Sequence, residues 1–217
     1  MGAWPYRLVT FDLDGTLTRG HGWEIIAEAA GRLEEYRASN RRFLARRSGE
    51  DEHLRELLDL AAGMELDRVH ELLAVTPRVD GIPETVAALH ERGARVALLT
   101  HNPTYVCDWY VQAFGFDDAE GTDGIQIRDG RIPPAGPVRA DKSAGLARLL
   151  ARHDIGPAEA SHVGDGWADA KIFPRVGAGI AFNSRLPDVD RAADVALHGN
   201  DLTEVVRTLD RLPPRQP

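Results

Sequence analysis

Two aspartates two residues apart close the first apolar run of the chain. Tyr6-Arg7-Leu8-Val9-Thr10-Phe11 leads directly into Asp12-Leu13-Asp14-Gly15-Thr16-Leu17-Thr18. In an extended backbone residues i and i+2 share a face, so Asp12 and Asp14 are predicted to crowd two charges into one small volume. Carboxylates held that close are costly unless a cation or a proton offsets them. A divalent metal, with one carboxylate left free for chemistry, is the natural arrangement. A calcium loop also opens Asp-x-Asp, but it needs an acidic residue or Asn at its fifth position, Gly at its sixth and Glu at its twelfth. Those positions hold Thr16, Leu17 and Trp23, which excludes it.

Short apolar runs alternate with helical patterns along the rest of the chain. Strands are predicted at residues 95–100, 160–163, 179–182 and 194–197, and helices at 82–92 and 142–153. Strands separated by helices predict βαβ units, hence an α/β three-layer sandwich around a parallel, Rossmann-like sheet. Residues 19–79 break the alternation, with helical patterns at 23–30, 33–46, 53–60 and 67–73 where a short crossover would suffice. They are predicted to form a small inserted helical cap on a catalytic core of residues 1–18 and 80–217, hinged near Thr18-Arg19-Gly20 and Val79-Asp80-Gly81. Residues 125–132 alternate with period two around Asp129-Gly130 and predict a hairpin. Residues 212–217 predict a frayed tail.

Polar clusters fall at the ends of strands, the edge at which open α/β sheets bind ligands. Thr100-His101-Asn102 follows the second strand, Lys142 opens a helix after Asp141, and Gly164-Asp165-Gly166-Trp167-Ala168-Asp169 follows the third. Of 26 basic residues only Lys142 and Lys171 are lysines. Each is therefore a candidate for a role that the planar fork of Arg cannot fill, although a surface role is the default for Lys171. The net charge of -8 argues against nucleic acid and anionic membrane as partners. No apolar run approaches a membrane span. Cys107 is the single cysteine; it excludes an intrachain disulfide and reads as a packing residue. With no secretory pattern before Phe11, a cytoplasmic location is expected.

In this order and at these strand ends, the motifs resemble those of the haloacid dehalogenase superfamily, and within it the phosphoserine phosphatase-like branch with a helical cap after the first motif. The resemblance covers most of the chain and is weakest in the cap. It implies a phosphatase that works on a small phosphomonoester through an aspartyl-phosphate, as a monomer or homodimer. Asp12 is implied as nucleophile, Asp14 as general acid and base, and Thr100 and Lys142 as the groups that hold the phosphate. Mg²⁺ is implied on Asp12, the Asp14 carbonyl and Asp165, with Asp169 supporting it. Gly15 and Thr16 are expected to turn backbone N–H groups towards phosphate oxygens.

The chain departs from that branch where substrate is read. Phosphoserine phosphatases carry a Glu nine residues after the nucleophile, for the substrate ammonium; His21 stands here. They carry a cap Arg for its carboxylate; Leu57 aligns there, with Arg55 two residues away as a substitute. Thr100-His101-Asn102-Pro103 replaces a small Ser-Gly-Gly stretch, so His101 and Asn102 are expected to narrow the pocket, and Trp167 to line its entrance. A substrate other than phosphoserine is expected, such as a phosphorylated sugar or hydroxy acid. Phosphoserine phosphatase proper, a phosphomutase using the same intermediate and a non-catalytic module remain as alternatives.

Overall fold

The computed structural model describes residues 4–123 and 125–215. One parallel sheet contains β1 (Leu8–Phe11), β2 (Arg95–Pro103), β3 (Asp118–Thr122), β4 (Ala160–Gly164), β5 (Ala178–Phe182) and β6 (Val195–Leu197). The strand order is β3-β2-β1-β4-β5-β6. The chain winds outwards in one direction from β1 and in the other from β4, so a crevice opens beyond the carboxyl ends of these two strands. That is where doubly wound sheets bind ligands.

The helices are α1 (Gly22–Ala29), α2 (Leu33–Leu44), α3 (Glu50–Leu60), α4 (Leu66–Val75), α5 (Ile82–Glu91), α6 (Thr104–Phe114), α7 (Lys142–His153), α8 (Trp167–Ala170), α9 (Pro187–Ala192) and α10 (Thr203–Leu209). Period-two alternation divides the strands between two helical layers. Val9, Phe11, Val96 and Leu98 pack with apolar residues of α5, α6 and α10. Their neighbours Leu8, Ala97 and Leu99 face the other way, onto Leu146 and Leu149 of α7. The sandwich therefore has the three layers the sequence predicts.

Helices α1 to α4 stand between β1 and α5 and share a core that includes Trp23, Ile26, Tyr36, Leu58, Val69 and Leu73. The two chain segments that connect this insert to the sheet run side by side. Thr18 and Arg78 form an antiparallel bridge, the Arg19 N–H donates to Pro77 O at 2.8 Å, and the Val79 N–H donates to Leu17 O at 3.0 Å. Gly20 (φ +99°) and Gly81 (φ +78°) end this ribbon in the left-handed region, which glycine enters without steric cost.

Three local expectations change. β3 was not predicted, because Asp118-Ala-Glu-Gly-Thr122 has little apolar content. It is an edge strand whose acids face basic side chains of α7: Arg152 bonds Asp118 at 2.7 Å and Arg148 bonds Glu120 at 2.8 Å. The hairpin reduces to its turn. Asp129 and Gly130 both have positive φ and Arg128 pairs with Arg131, but no strands extend from them. The segment instead reaches the insert, where the Leu66 N–H donates to Gly130 O at 2.8 Å. The tail is docked as far as it is described. The Arg215 N–H donates to Gly177 O at 2.7 Å, and its guanidinium pairs with Asp194 at 2.7 Å; residues 216–217 lie outside the described residues.

Candidate active site

The carboxyl ends of β1 and β4 bring three acids together. Asp12, Asp165 and Asp169 each offer an oxygen within 4.8 Å of the others'. Lys142, at the start of α7, is buried between two of them; its Nζ donates to Asp12 Oδ1 and to Asp169 Oδ1 at 2.6 Å each. One compact ammonium between two carboxylates is a task suited to Lys rather than Arg. The helix is started by Asp141, whose side chain accepts from the Ala144 N–H and so caps it.

The acids differ in what surrounds them. Burial alone would raise Asp169, but Lys142 and His162 outweigh it and hold Asp169 below the ordinary carboxylate range. Asp169 is fully engaged: besides Lys142, its Oδ1 accepts from His162 Nε2 at 2.9 Å, and its Oδ2 from the Gly166 and Asp165 N–H groups at 2.9 and 3.2 Å. Asp12 lies above its usual range, because burial and the charges of Asp169 and Asp14 exceed the pull of Lys142. Asp165 is raised further by burial and by Asp12 and Asp169. A site with more buried negative charge than one Lys can balance fits a hard divalent cation with oxygen ligands, which is the donor set Mg²⁺ accepts.

Glycines make this crowding possible. A Cβ on Gly15 would stand 2.3 Å from Asp165 Oδ2, and one on Gly164 would stand 2.2 Å from Asp169 Cγ. Gly15 also has φ +87°. Its N–H is occupied within the turn by Gly20 O at 3.2 Å, and that of Thr16 by Leu13 O at 3.3 Å. Thr16 is fully buried and does not line the cavity. The N–H groups of Gly15 and Thr16 themselves are thus used to hold the turn. Among the described residues the N–H groups at this turn that donate no bond are those of Leu13 and Asp14.

Asp14 points away from the acidic cluster. Its Oδ1 accepts from the Gly22 N–H at 2.7 Å and its Oδ2 from Asn102 Nδ2 at 2.9 Å. Asn102 also donates to Thr100 Oγ1 at 3.1 Å and accepts from Trp23 Nε1 at 3.0 Å. Asn102 thus joins the β2 end, Asp14 and α1 of the insert. Thr100 Oγ1 accepts from the Asn102 backbone N–H as well, at 3.2 Å, so its own proton remains available to an anion.

These groups floor a cavity of about 700 Å³. His21, His101, Asn102 and Trp167 line it, as expected. His101 Nε2 is buried with no partner among the described residues, and burial, reinforced by Lys142, lowers its pKa to about 3. Trp167 faces the insert: Arg46 lies over its ring at 4.5 Å and Phe43 meets it edge-on at 5.6 Å. Lys171 continues this contact through Glu50 at 2.6 Å, so its surface role joins insert to core. Arg55 is not brought to the site. It is exposed on α3, and its neighbours His53, Leu54 and Leu57 line the cavity instead. The sequence reading did not select His162, His53 or the Trp23–Asn102 contact. Only His162 carried a signal, as a polar residue inside a strand beside the Gly-Asp-Gly turn.

The site geometry accords with the chain's relationships. The model of haloacid dehalogenase-like hydrolases matches residues 6–177, and the chain belongs to that family. Within that family, relatives that it resembles are phosphoserine phosphatases. It is 29% identical over 185 residues to a phosphoserine phosphatase of Archaeoglobus fulgidus, matching 82% of this chain and 53% of that protein. The chain therefore spans about half of that relative's length. A phosphoserine phosphatase of Methanocaldococcus jannaschii is 25% identical over 205 residues, which cover 93% of this chain and 96% of its own. In fold, the chain superposes on a phosphoserine phosphatase solved as a phospho-aspartyl intermediate analogue, with TM-score 0.79, 24% identity and coverage of 94% and 98%.

Proposed function

We propose that the protein is a Mg²⁺-dependent phosphomonoester hydrolase that acts on a small phosphorylated metabolite through an aspartyl-phosphate on Asp12. The observation that carries this reading is Lys142 held at 2.6 Å from both Asp12 and Asp169 on the floor of a cavity. Asp12 and Asp165, with the Asp14 carbonyl, would hold the metal, and Asp169 would brace it and Lys142. Bound there, Mg²⁺ supplies charge stabilisation to phosphate oxygens. Asp12 attacks phosphorus while Thr100 and Lys142 hold the equatorial oxygens. Asp14, oriented by Gly22 and Asn102, gives a proton to the leaving alcohol and then takes one from the water that releases phosphate. Residues 19–79 serve as the cap that covers this site and excludes water.

The relatives' substrate is the first alternative. His21 where an ammonium would need an anion, and Leu57 with a displaced Arg55 where a carboxylate would need a cation, favour a different phosphomonoester. Phosphate release from a panel of metabolites tests both levels. Mg²⁺-dependent release, abolished by EDTA, is expected; full turnover after exhaustive EDTA treatment contradicts the metal requirement. L-phosphoserine as the best substrate by a wide margin would restore the relatives' activity. An isomerised sugar phosphate without free phosphate would indicate a mutase.

A further inference from the structure

One residue that lines the cavity, His53, belongs to a relay of four side chains between α2 and α3. His53, on α3, is buried and stacks on Phe43 with ring centroids 4.4 Å apart and planes 5° from parallel. Its Nδ1 lies 2.7 Å from Ser39 Oγ. The Ser39 hydroxyl donates to Glu56 Oε2 at 2.6 Å, and Glu56 also accepts from Arg42 at 2.7 Å. Burial would raise Glu56, but Ser39 and Arg42 outweigh it and keep the carboxylate ionised. A hydroxyl has one proton to give. Ser39 gives it to Glu56, so towards His53 it can only accept, and Nδ1 must carry the imidazole proton. Burial, then the neighbouring His21, lowers the pKa of His53 to about 4, so the ring is neutral near pH 7. Its Nε2 is left with a bare lone pair, no donor among the described residues reaches it, and His53 lines the cavity.

We propose that His53 Nε2 is a specificity-determining acceptor that takes a hydrogen bond from a hydroxyl of the substrate's alcohol portion, so that the enzyme hydrolyses a phosphorylated polyol or sugar rather than a phosphorylated amino acid. The inference rests on the phosphatase reading above and assigns its substrate class. A carboxylate placed here would meet a lone pair with its own lone pairs. An ammonium stripped of water would need an anion, and Glu56, the nearest acid in the relay, is already engaged by Ser39 and Arg42. Tyr36, Asn40, Leu54 and Leu57 beside it are uncharged; of the charged residues on α2 and α3 that also line the cavity, Arg37 is paired with Glu34, Glu50 with Lys171, and Arg41 is exposed. A neutral hydroxyl satisfies all of these groups.

Three phosphate esters separate the possibilities: glucitol 6-phosphate, hexyl phosphate of the same carbon length without its hydroxyls, and L-phosphoserine. Each is assayed with the Mg²⁺-loaded full-length protein. The wild type is expected to favour glucitol 6-phosphate by at least about 10-fold in kcat/KM over both others, the scale of one well-made hydrogen bond. His53→Phe, which keeps the stacking ring, is expected to lose that preference mainly through KM. His53→Gln, whose carbonyl can accept, is expected to recover part of it. Equal losses on glucitol 6-phosphate and hexyl phosphate, or no rescue by Gln, would overturn the inference while leaving the phosphatase reading intact. Failure to release phosphate from p-nitrophenyl phosphate would instead remove the phosphatase reading, and this inference with it. Nitrogen-15 NMR of the wild-type imidazole at pH 7 gives a readout independent of activity and of variant folding. The Nδ1–H tautomer is expected, and an Nε2–H tautomer at His53 would overturn the inference.

Discussion

Four aspartates and one ammonium make the floor of the cavity, whereas the wall from α2 and α3 lines it with His53, Tyr36, Asn40, Phe43 and three leucines, and with the charged Arg37, Arg41 and Glu50. The floor is electrostatically unbalanced: burial, then the neighbouring carboxylates, hold Asp12 and Asp165 above their normal range despite Lys142. Behind His53, by contrast, the one acid of the relay, Glu56, is paired with Arg42 and Ser39. The difference teaches where chemistry and selectivity reside. A phosphate dianion and a metal together neutralise the floor, so the floor recognises what all phosphomonoesters share. Only the wall can distinguish one alcohol from another.

The comparison can be broken most severely at Lys142. Lys142→Ala leaves Asp12 and Asp169 buried without their cation and is expected to cost about 3–5 kcal/mol in urea unfolding. A loss under about 1 kcal/mol would mean that the floor is not electrostatically strained. Asp14→Asn keeps the hydrogen bond from Gly22 but cannot transfer a proton and sets its amide against Asn102 Nδ2, so kcat is expected to fall at least about 10²-fold with a stability loss of about 1 kcal/mol. Near-wild-type kcat with a poor leaving group would remove Asp14 as the acid.

Charge on the floor also predicts how pH acts. Asp12 and Asp165 have raised folded-state pKa values, so they hold protons that the unfolded chain has released. Stability must then decline as pH rises above the ordinary carboxylate range and through their folded values. Asp169, with a lowered value, contributes in the opposite sense, and its stability is lost only in strong acid. The metal-free protein is expected to melt lower at pH 8 than at pH 6, and a fixed Mg²⁺ concentration of about 100 times the pH 6 Kd to restore about 2–3 kcal/mol at pH 6 and more at pH 8, where the ionised acids bind it more tightly. A calorimetric Tm independent of both pH and Mg²⁺ would contradict this. The smallest effect is expected at the seam between the regions. Trp23→Phe leaves Asn102 Oδ1 without its donor, for about 1 kcal/mol in stability and a modest fall in kcat as Asp14 loosens; unchanged values would show that Asn102 needs no tie to α1.

The floor was legible in the sequence because its residues lie in short motifs at strand ends. Asp12, Asp14 and Asp165 follow β1 and β4, Lys142 begins α7, Thr100 lies near the end of β2 and Asp169 in the short α8 after β4, and the sheet order brings those ends together. The insert's four helices were legible from periodicity. The wall was not, since its relay joins Ser39 and Arg42 on α2 to His53 and Glu56 on α3. Their pairing depends on how two helices rotate against each other, which spacing does not encode. Arg55 illustrates this: Leu54 and Leu57 line the cavity while Arg55 between them is exposed. β3 was missed because its stability comes from ion pairs with α7 rather than from apolar alternation.

The account depends on Asp12 as the atom donor to phosphorus, and rapid acid quench with Mg²⁺ and a phosphorus-32-labelled ester tests that directly. Label is expected on the peptide that contains Asp12, at a level matching the steady state, and absent from Asp12→Asn. Turnover by the wild type with no label ever trapped there, or phosphate release by Asp12→Asn at the wild-type rate, would contradict it.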